Sequence, residues 1–192
     1  CNDKDFQNLM HVYMDAVFYP NIYEHEEIFK QEGWHYELNS PEEPVTYNGV
    51  VFNEMKGAFS SADGKLERFV MNGLFPDNTY GNESGGDPAN IPDLTYEEYL
   101  DFHRRYYHPV NSYIYLYGDM DIEERLEWMD QHYLRDFPAI ELDSSIPLQK
   151  PFTRMKKLET EYAVSENEDS DEKTYYAFAA AMDVTLDVKV CK

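Results

Sequence analysis

The stretch from Tyr47 to Pro92, YNGVVFNEMKGAFSSADGKLERFVMNGLFPDNTYGNESGGDPANIP, does most to constrain the fold. Val51, Met55, Ala58, Ala62, Leu66 and Phe69 recur at helical spacing and predict an amphipathic helix with one apolar stripe. At about 100° per residue, Glu54 falls on the margin of that stripe, beside Tyr47, Val50 and Ser61. Gly57 and Ser61, one and two turns on, are small and leave room over its carboxylate. The helix is expected to stop near Gly73, since glycine suits a C-terminal cap and Pro76 cannot continue the turn. A loop rich in Gly, Pro and Asn then runs from Asp77 to Pro92. Taken alone, a glutamate in such a place is usually an ordinary solvated helix residue.

The flanking sequence divides into short elements. Asp3 or Lys4 to Phe18 is predicted as a helix, with Phe6, Leu9, Met10, Tyr13, Met14 and Val17 on its apolar side and Pro20 beyond its end. A more polar helix is expected from about Ile22 to Gln31, closed by Gly33. Trp34 to Leu38 alternates like a strand, with His35 on its second face. Ser40 to Pro44 forms a loop. Thr95 and Glu98 make a capping box for a helix running to about Tyr107. Asn111 to Tyr117 alternates Tyr113, Tyr115 and Tyr117 against Ile114 and Leu116, the pattern of a strand. Asp121 and Glu124 suggest a second capping box, for a helix to about Tyr133 with Ile122, Leu126 and Met129 inward. The order to Phe137 is therefore α-α-β-α-α-β-α, an α+β arrangement with helices on one face of an antiparallel sheet.

Pro138, Pro147 and Pro151 mark a linker over 138–157. Acids without a base fill Glu159 to Glu172, as in a solvated loop, and Thr174 to Phe178 is strand-like. Composition narrows the function. The net charge of -22 excludes a phosphate-neutralising nucleic-acid surface. The same acidity attracts basic peptides and repels anionic membranes. No apolar run is long enough to span a bilayer. Two cysteines are too few for a disulfide framework, and 17 tyrosines argue for a folded chain over a disordered one. Acidity also serves solubility, and a cytoplasmic, bacterial location is the expectation.

Three stretches carry a family resemblance: GVVFNEMKGAFSS, then LFPDNTYGNESGGDP, then LTYEEYLDFHRRYYHPVNSYIYLYGDMD. In this order they resemble the insulinase/pitrilysin superfamily of zinc peptidases, and within it the presequence protease branch. Members are inverzincins, in which an H-x-x-E-H helix gives two His ligands and the catalytic Glu. The resemblance implies an insulinase-type, ferredoxin-like α/β domain and a further Glu ligand that matches Glu54 in the word NEMKG. Asn53 and Tyr80 are the candidates, by sequence proximity, to support that ligand. None of the histidines, His11, His25, His35, His103, His108 and His132, begins H-x-x-E-H. The motif and its general base are expected upstream of Cys1, so this chain is expected to be an internal piece, truncated at both ends and inactive alone.

On this reading residues 1–137 close a ligand-bearing peptidase domain and residues 158–192 open a second. The implied parent is a zinc metalloendopeptidase degrading presequence-like or other unstructured peptides, basic ones among them. Its partners are those peptides and the remainder of the parent chain, with no nucleic acid and no membrane. Two alternatives stay open: a non-catalytic interaction subunit of the same fold, and an acidic peptide-binding module.

Overall fold

A computed structural model of the chain describes residues 2–164 and 173–182, grouped in two compact units. The first holds residues up to Glu32 together with Asp93–Ser145. It contains α1 (Asp3–Phe18) and α2 (Glu26–Glu32), to which α5 (Tyr96–Tyr106) and α6 (Ile122–His132) are added later in the chain. The second unit holds Gly33–Pro92 and the chain from Ile146. Its elements are β1 (His35–Glu37), β2 (Thr46–Asn48), α3 (Val50–Ala58) and α4 (Ala62–Leu74). The architecture is α+β.

In the first unit α1 follows its expected bounds, started by the Asn2 side chain accepting from the Asp5 amide at 2.9 Å. Met10, Met14 and Phe18 turn one face of α1 onto Met129 and Tyr133. The Tyr133 hydroxyl donates to the His11 carbonyl at 3.0 Å, and burial pushes its phenol above the ordinary tyrosine value. The Thr95–Glu98 capping box of α5 is formed in both directions. At α6 only half of the expected box exists. The Asp121 side chain accepts from the Glu123 and Glu124 amides, while the Glu124 carboxylate lies 3.5 Å from Arg125. Met129 is buried as expected, but Ile122 and Leu126 are exposed and α6 buries Arg125 in their stead. The helix expected over 22–31 is a 3-10 turn, Asn21–Tyr23, followed by the shorter α2.

The strand expected over 111–117 does not form. A 3-10 turn covers Pro109–Asn111, and Tyr113, Tyr115 and Tyr117 stand 105%, 84% and 83% exposed. Alternation aligns side chains, but a strand needs a neighbour to complete its hydrogen bonds, and none pairs with it among the described residues. Residues 174–178 likewise form no strand. The acidic block at 165–172 and Cys191 lie outside the described residues.

The second unit is built on a two-stranded antiparallel sheet, His35 opposite Asn48 and Glu37 opposite Thr46. Strand β2, β-branched and aromatic at Thr46-Tyr47, was not anticipated. Tyr36 and Tyr47 face each other with ring centroids 5.4 Å apart, and Trp34 and Phe52 extend the aromatic row. The single helix expected from residue 51 to Gly73 is two helices. It breaks at residues 59–61 because the Ser61 side chain accepts from the Gly64 amide at 3.1 Å and starts α4 afresh.

Candidate functional site

The chain enters α3 through a constrained corner. Gly49 has φ 155° and ψ 151°, a backbone region essentially confined to glycine. A Cβ there would lie 2.2 Å from the Gly33 carbonyl oxygen, so hairpin and helix meet with no room for a side chain. That carbonyl accepts from the Phe52 amide at 3.3 Å, fixing the first turn of α3 to the start of the hairpin. Side chains reinforce the corner. Asn53 donates to Asn48 Oδ1 at 2.5 Å, and Asn48 donates to Glu37 at 2.9 Å.

Phe52 and Met55 are the buried face of α3, joined by Ile91, with Val51 and Phe59 partly covered beside them. The glycine loop closes over this face. A Cβ on Gly85 would lie 2.4 Å from Met55 Sδ, and Gly86, at φ 91°, packs against Ile91. At the far end Arg68 of α4 stacks its guanidinium 3.6 Å from the Phe59 ring centroid. It also donates to the Ala58 carbonyl at 2.8 Å and lies 3.9 Å from Glu83 in the loop.

Glu54 sits in the middle turn of α3 and is exposed. The buried face runs through Phe52 and Met55 where the sequence pattern ran through Ala58, which is exposed, so Glu54 is not on the margin of a buried stripe. Gly57 does leave open space, with nothing within 4 Å of a Cβ placed there, whereas Ser61 belongs to the next helix. Asn53 turns to the hairpin and not to Glu54. Tyr80 lies on a 3-10 turn, Thr79–Gly81, 55% exposed and packed on Phe75 at 5.7 Å between centroids. The structure thus joins Asn53 to the helix entrance, and Tyr80 makes its ring contact elsewhere. Arg68, Asn48 and Glu83 were missed by the sequence reading. Their polar pairings cross between elements and leave no periodic signal.

No group of three His, Cys, Asp or Glu among the described residues could hold a metal. Glu54 itself fits one position of a zinc site: a hard anionic oxygen, exposed, with open space one turn on. His103 is not a donor for such a site. Its Nε2 donates to the Val17 carbonyl at 2.8 Å, which leaves Nδ1 to accept from the Tyr23 hydroxyl at 2.7 Å. Arg104 of the same helix pairs with Glu97 and Asp101.

Helices beside a small antiparallel sheet make an α+β protein, and α3, fixed at both ends, offers an exposed carboxylate. Residues 93–183 match the family described as the peptidase M16 inactive domain, and over most of its length the chain is similar to presequence proteases. It is 54% identical to the protein HypA of Clostridium perfringens over 176 residues, 92% of this chain and 18% of that protein. Presequence protease 1, chloroplastic/mitochondrial, of Arabidopsis thaliana is 48% identical over 90% of this chain and 16% of its own length. The mitochondrial presequence protease of Xenopus laevis is 42% identical, over 88% and 16%. The chain therefore spans less than a fifth of these relatives. The expected bacterial cytoplasmic location is corrected by them: several relatives are named mitochondrial or chloroplastic/mitochondrial, alongside a bacterial one. No helix among the described residues is long and apolar enough to cross a membrane.

Proposed function

We propose that this chain is a segment of a zinc-dependent metalloendopeptidase that degrades unstructured, presequence-like peptides, and that Glu54 contributes one carboxylate ligand to its metal. The observation that carries the reading is the word NEMKG on α3, with Glu54 exposed and the space at Gly57 open. Zinc, when bound, would supply Lewis acidity and ease the deprotonation of a water. This chain's own residues position and do not catalyse: no catalytic group is assigned within it, and the general base is assigned outside it. Gly49 and Asn53 fix the entry to α3, and the glycine loop covers its apolar face. Tyr80 is retained as a candidate to support the site.

Residues 1–137 are read as the end of the ligand-bearing peptidase domain of insulinase type, 138–157 as a linker and 158–192 as the start of the next domain. The formal charge of -22 favours basic peptide substrates. A non-catalytic interaction subunit is the competing reading, and the match of 93–183 to an inactive domain favours it for that portion.

The test is Glu54→Gln in the full-length protein. An amide is a poorer ligand for a divalent cation than a carboxylate, so zinc content and peptide cleavage should fall while the melting temperature holds. Full zinc occupancy with full activity would remove Glu54 from the ligand set. A full-length protein without H-x-x-E-H would favour the interaction subunit.

A further inference from the structure

Arg68 of α4 is 18% exposed, and it touches both the end of α3 and the glycine loop. Its Nη2 donates to the carbonyl of Ala58, the last residue of α3 and one turn on from Glu54. The last carbonyls of a helix lack partners within it and carry the negative end of its dipole, so a cation there is favourable on both counts. The guanidinium plane also lies on the Phe59 ring at 3.6 Å, which fixes its orientation. Glu83, at 3.9 Å, brings the glycine loop to the same group. That loop in turn packs Gly85 onto Met55, the residue after Glu54.

We propose that Arg68 is a positioning residue for Glu54, holding the last turn of α3 and the glycine loop together so that the carboxylate is presented on a rigid helix. The inference rests on the reading of Glu54 as a metal ligand. Without Arg68 the end of α3 frays and the loop loses its ion pair, so the carboxylate must be ordered when metal binds. Lysine restores the charge but neither the planar stack nor several donors in fixed directions.

The experiment compares Arg68→Met, Arg68→Lys and Glu54→Gln in the full-length protein. Zinc affinity is measured by chelator competition, and amide hydrogen exchange of α3 is measured on the metal-free form. The expected result for Arg68→Met is zinc binding weaker by about tenfold or more, with faster exchange over residues 54–59 and Arg68→Lys in between. Zinc affinity within about twofold of the unaltered protein overturns the proposal, even if the melting temperature drops, because that outcome describes a merely structural residue. If Arg68→Met fails to fold, Arg68→Lys decides: weakened zinc supports the role and unaltered zinc overturns it. Loss of zinc in Glu54→Gln with none in Arg68→Met sinks the role of Arg68 alone. Unaltered zinc in Glu54→Gln sinks the ligand assignment itself.

Discussion

Two glycines flank Glu54, Gly49 at the N-cap of α3 and Gly57 within the helix, and replacing each by alanine should have opposite effects. At Gly49 the backbone sits at φ 155° and ψ 151°, which strains any residue with a Cβ by about 1–3 kcal/mol. The added methyl would also lie 2.2 Å from the Gly33 carbonyl oxygen and 2.7 Å from Trp34 Cα. Both are backbone atoms, so relief requires moving the hairpin off the helix and breaking the Phe52 amide bond to Gly33. Overpacking of that kind costs about 1–3 kcal/mol more, for a total near 2–6 kcal/mol. At Gly57 nothing lies within 4 Å of the added methyl. Alanine is the better helix former there, and Gly57→Ala should stabilise by about 0.5–1 kcal/mol. Urea unfolding of the 192-residue chain, followed by Trp34 fluorescence and far-ultraviolet circular dichroism, reads both. With a slope near 2 kcal/mol/M, Gly49→Ala lowers the midpoint by about 1–3 M. A Gly49→Ala chain within about 0.5 kcal/mol of the parent would refute the tight corner and the account of α3 built on it.

Three further outcomes are expected. Buried Arg125 donates to Gln7 Oε1 at 2.8 Å and lies 3.5 Å from Glu124; Gln7→Leu removes the nearer acceptor and should destabilise by about 1.5–3 kcal/mol. Arg125→Met, which removes that charge while keeping an apolar side chain, should cost less, and urea melts showing the reverse order would contradict this account of α6. Glu98 is held below the usual carboxylate range by the amide and hydroxyl of Thr95. Its contribution is thus present above the unfolded carboxylate's pKa and lost as pH falls through the lowered folded value. The urea midpoint of Glu98→Gln should therefore trail the parent at neutral pH and converge with it in acid; a constant gap across that range would count against the capping account. Finally, the purified chain with added zinc should not cleave unstructured peptides, and chelator-sensitive cleavage would show a catalytic group that the site assignment lacks.

The sequence was most informative where the cause of a structure is local. Asp3–Phe18 is set by its own apolar spacing and by Pro20, and the Thr95–Glu98 box is complete within four residues. The short strand at Trp34 to Leu38 was legible for the same reason, and the structure keeps its centre, His35–Glu37. Errors came where a pattern ran across a boundary. The stripe from Val51 to Phe69 reads as one helix only if Ser61 is treated as an interior residue. Its side-chain oxygen instead accepts from a backbone amide and begins a new helix; Met55 is buried as expected, Phe52 joins it, and Ala58 and Glu54 are exposed. At 111–117 the alternation was real, but pairing depends on a neighbour that seven residues cannot specify.

The residues that hold the candidate site are invisible to periodicity for a different reason. Asn48, Asn53, Arg68 and Glu83 are polar, and each is placed by a partner on another element. An apolar face must repeat to be buried, so it leaves a period in the sequence; a hydrogen bond between two elements needs only one residue from each. Glu54 illustrates the consequence. Its own helix is short, nine residues, and would be marginal if unsupported. It is fixed at the start by Gly49 and Asn53, along one side by Gly85 and Ile91, and at the end by Arg68. None of these contacts covers the carboxylate itself. With Glu54 read as a ligand, as proposed above, a scaffold ordered in advance lowers the entropy lost when the metal binds.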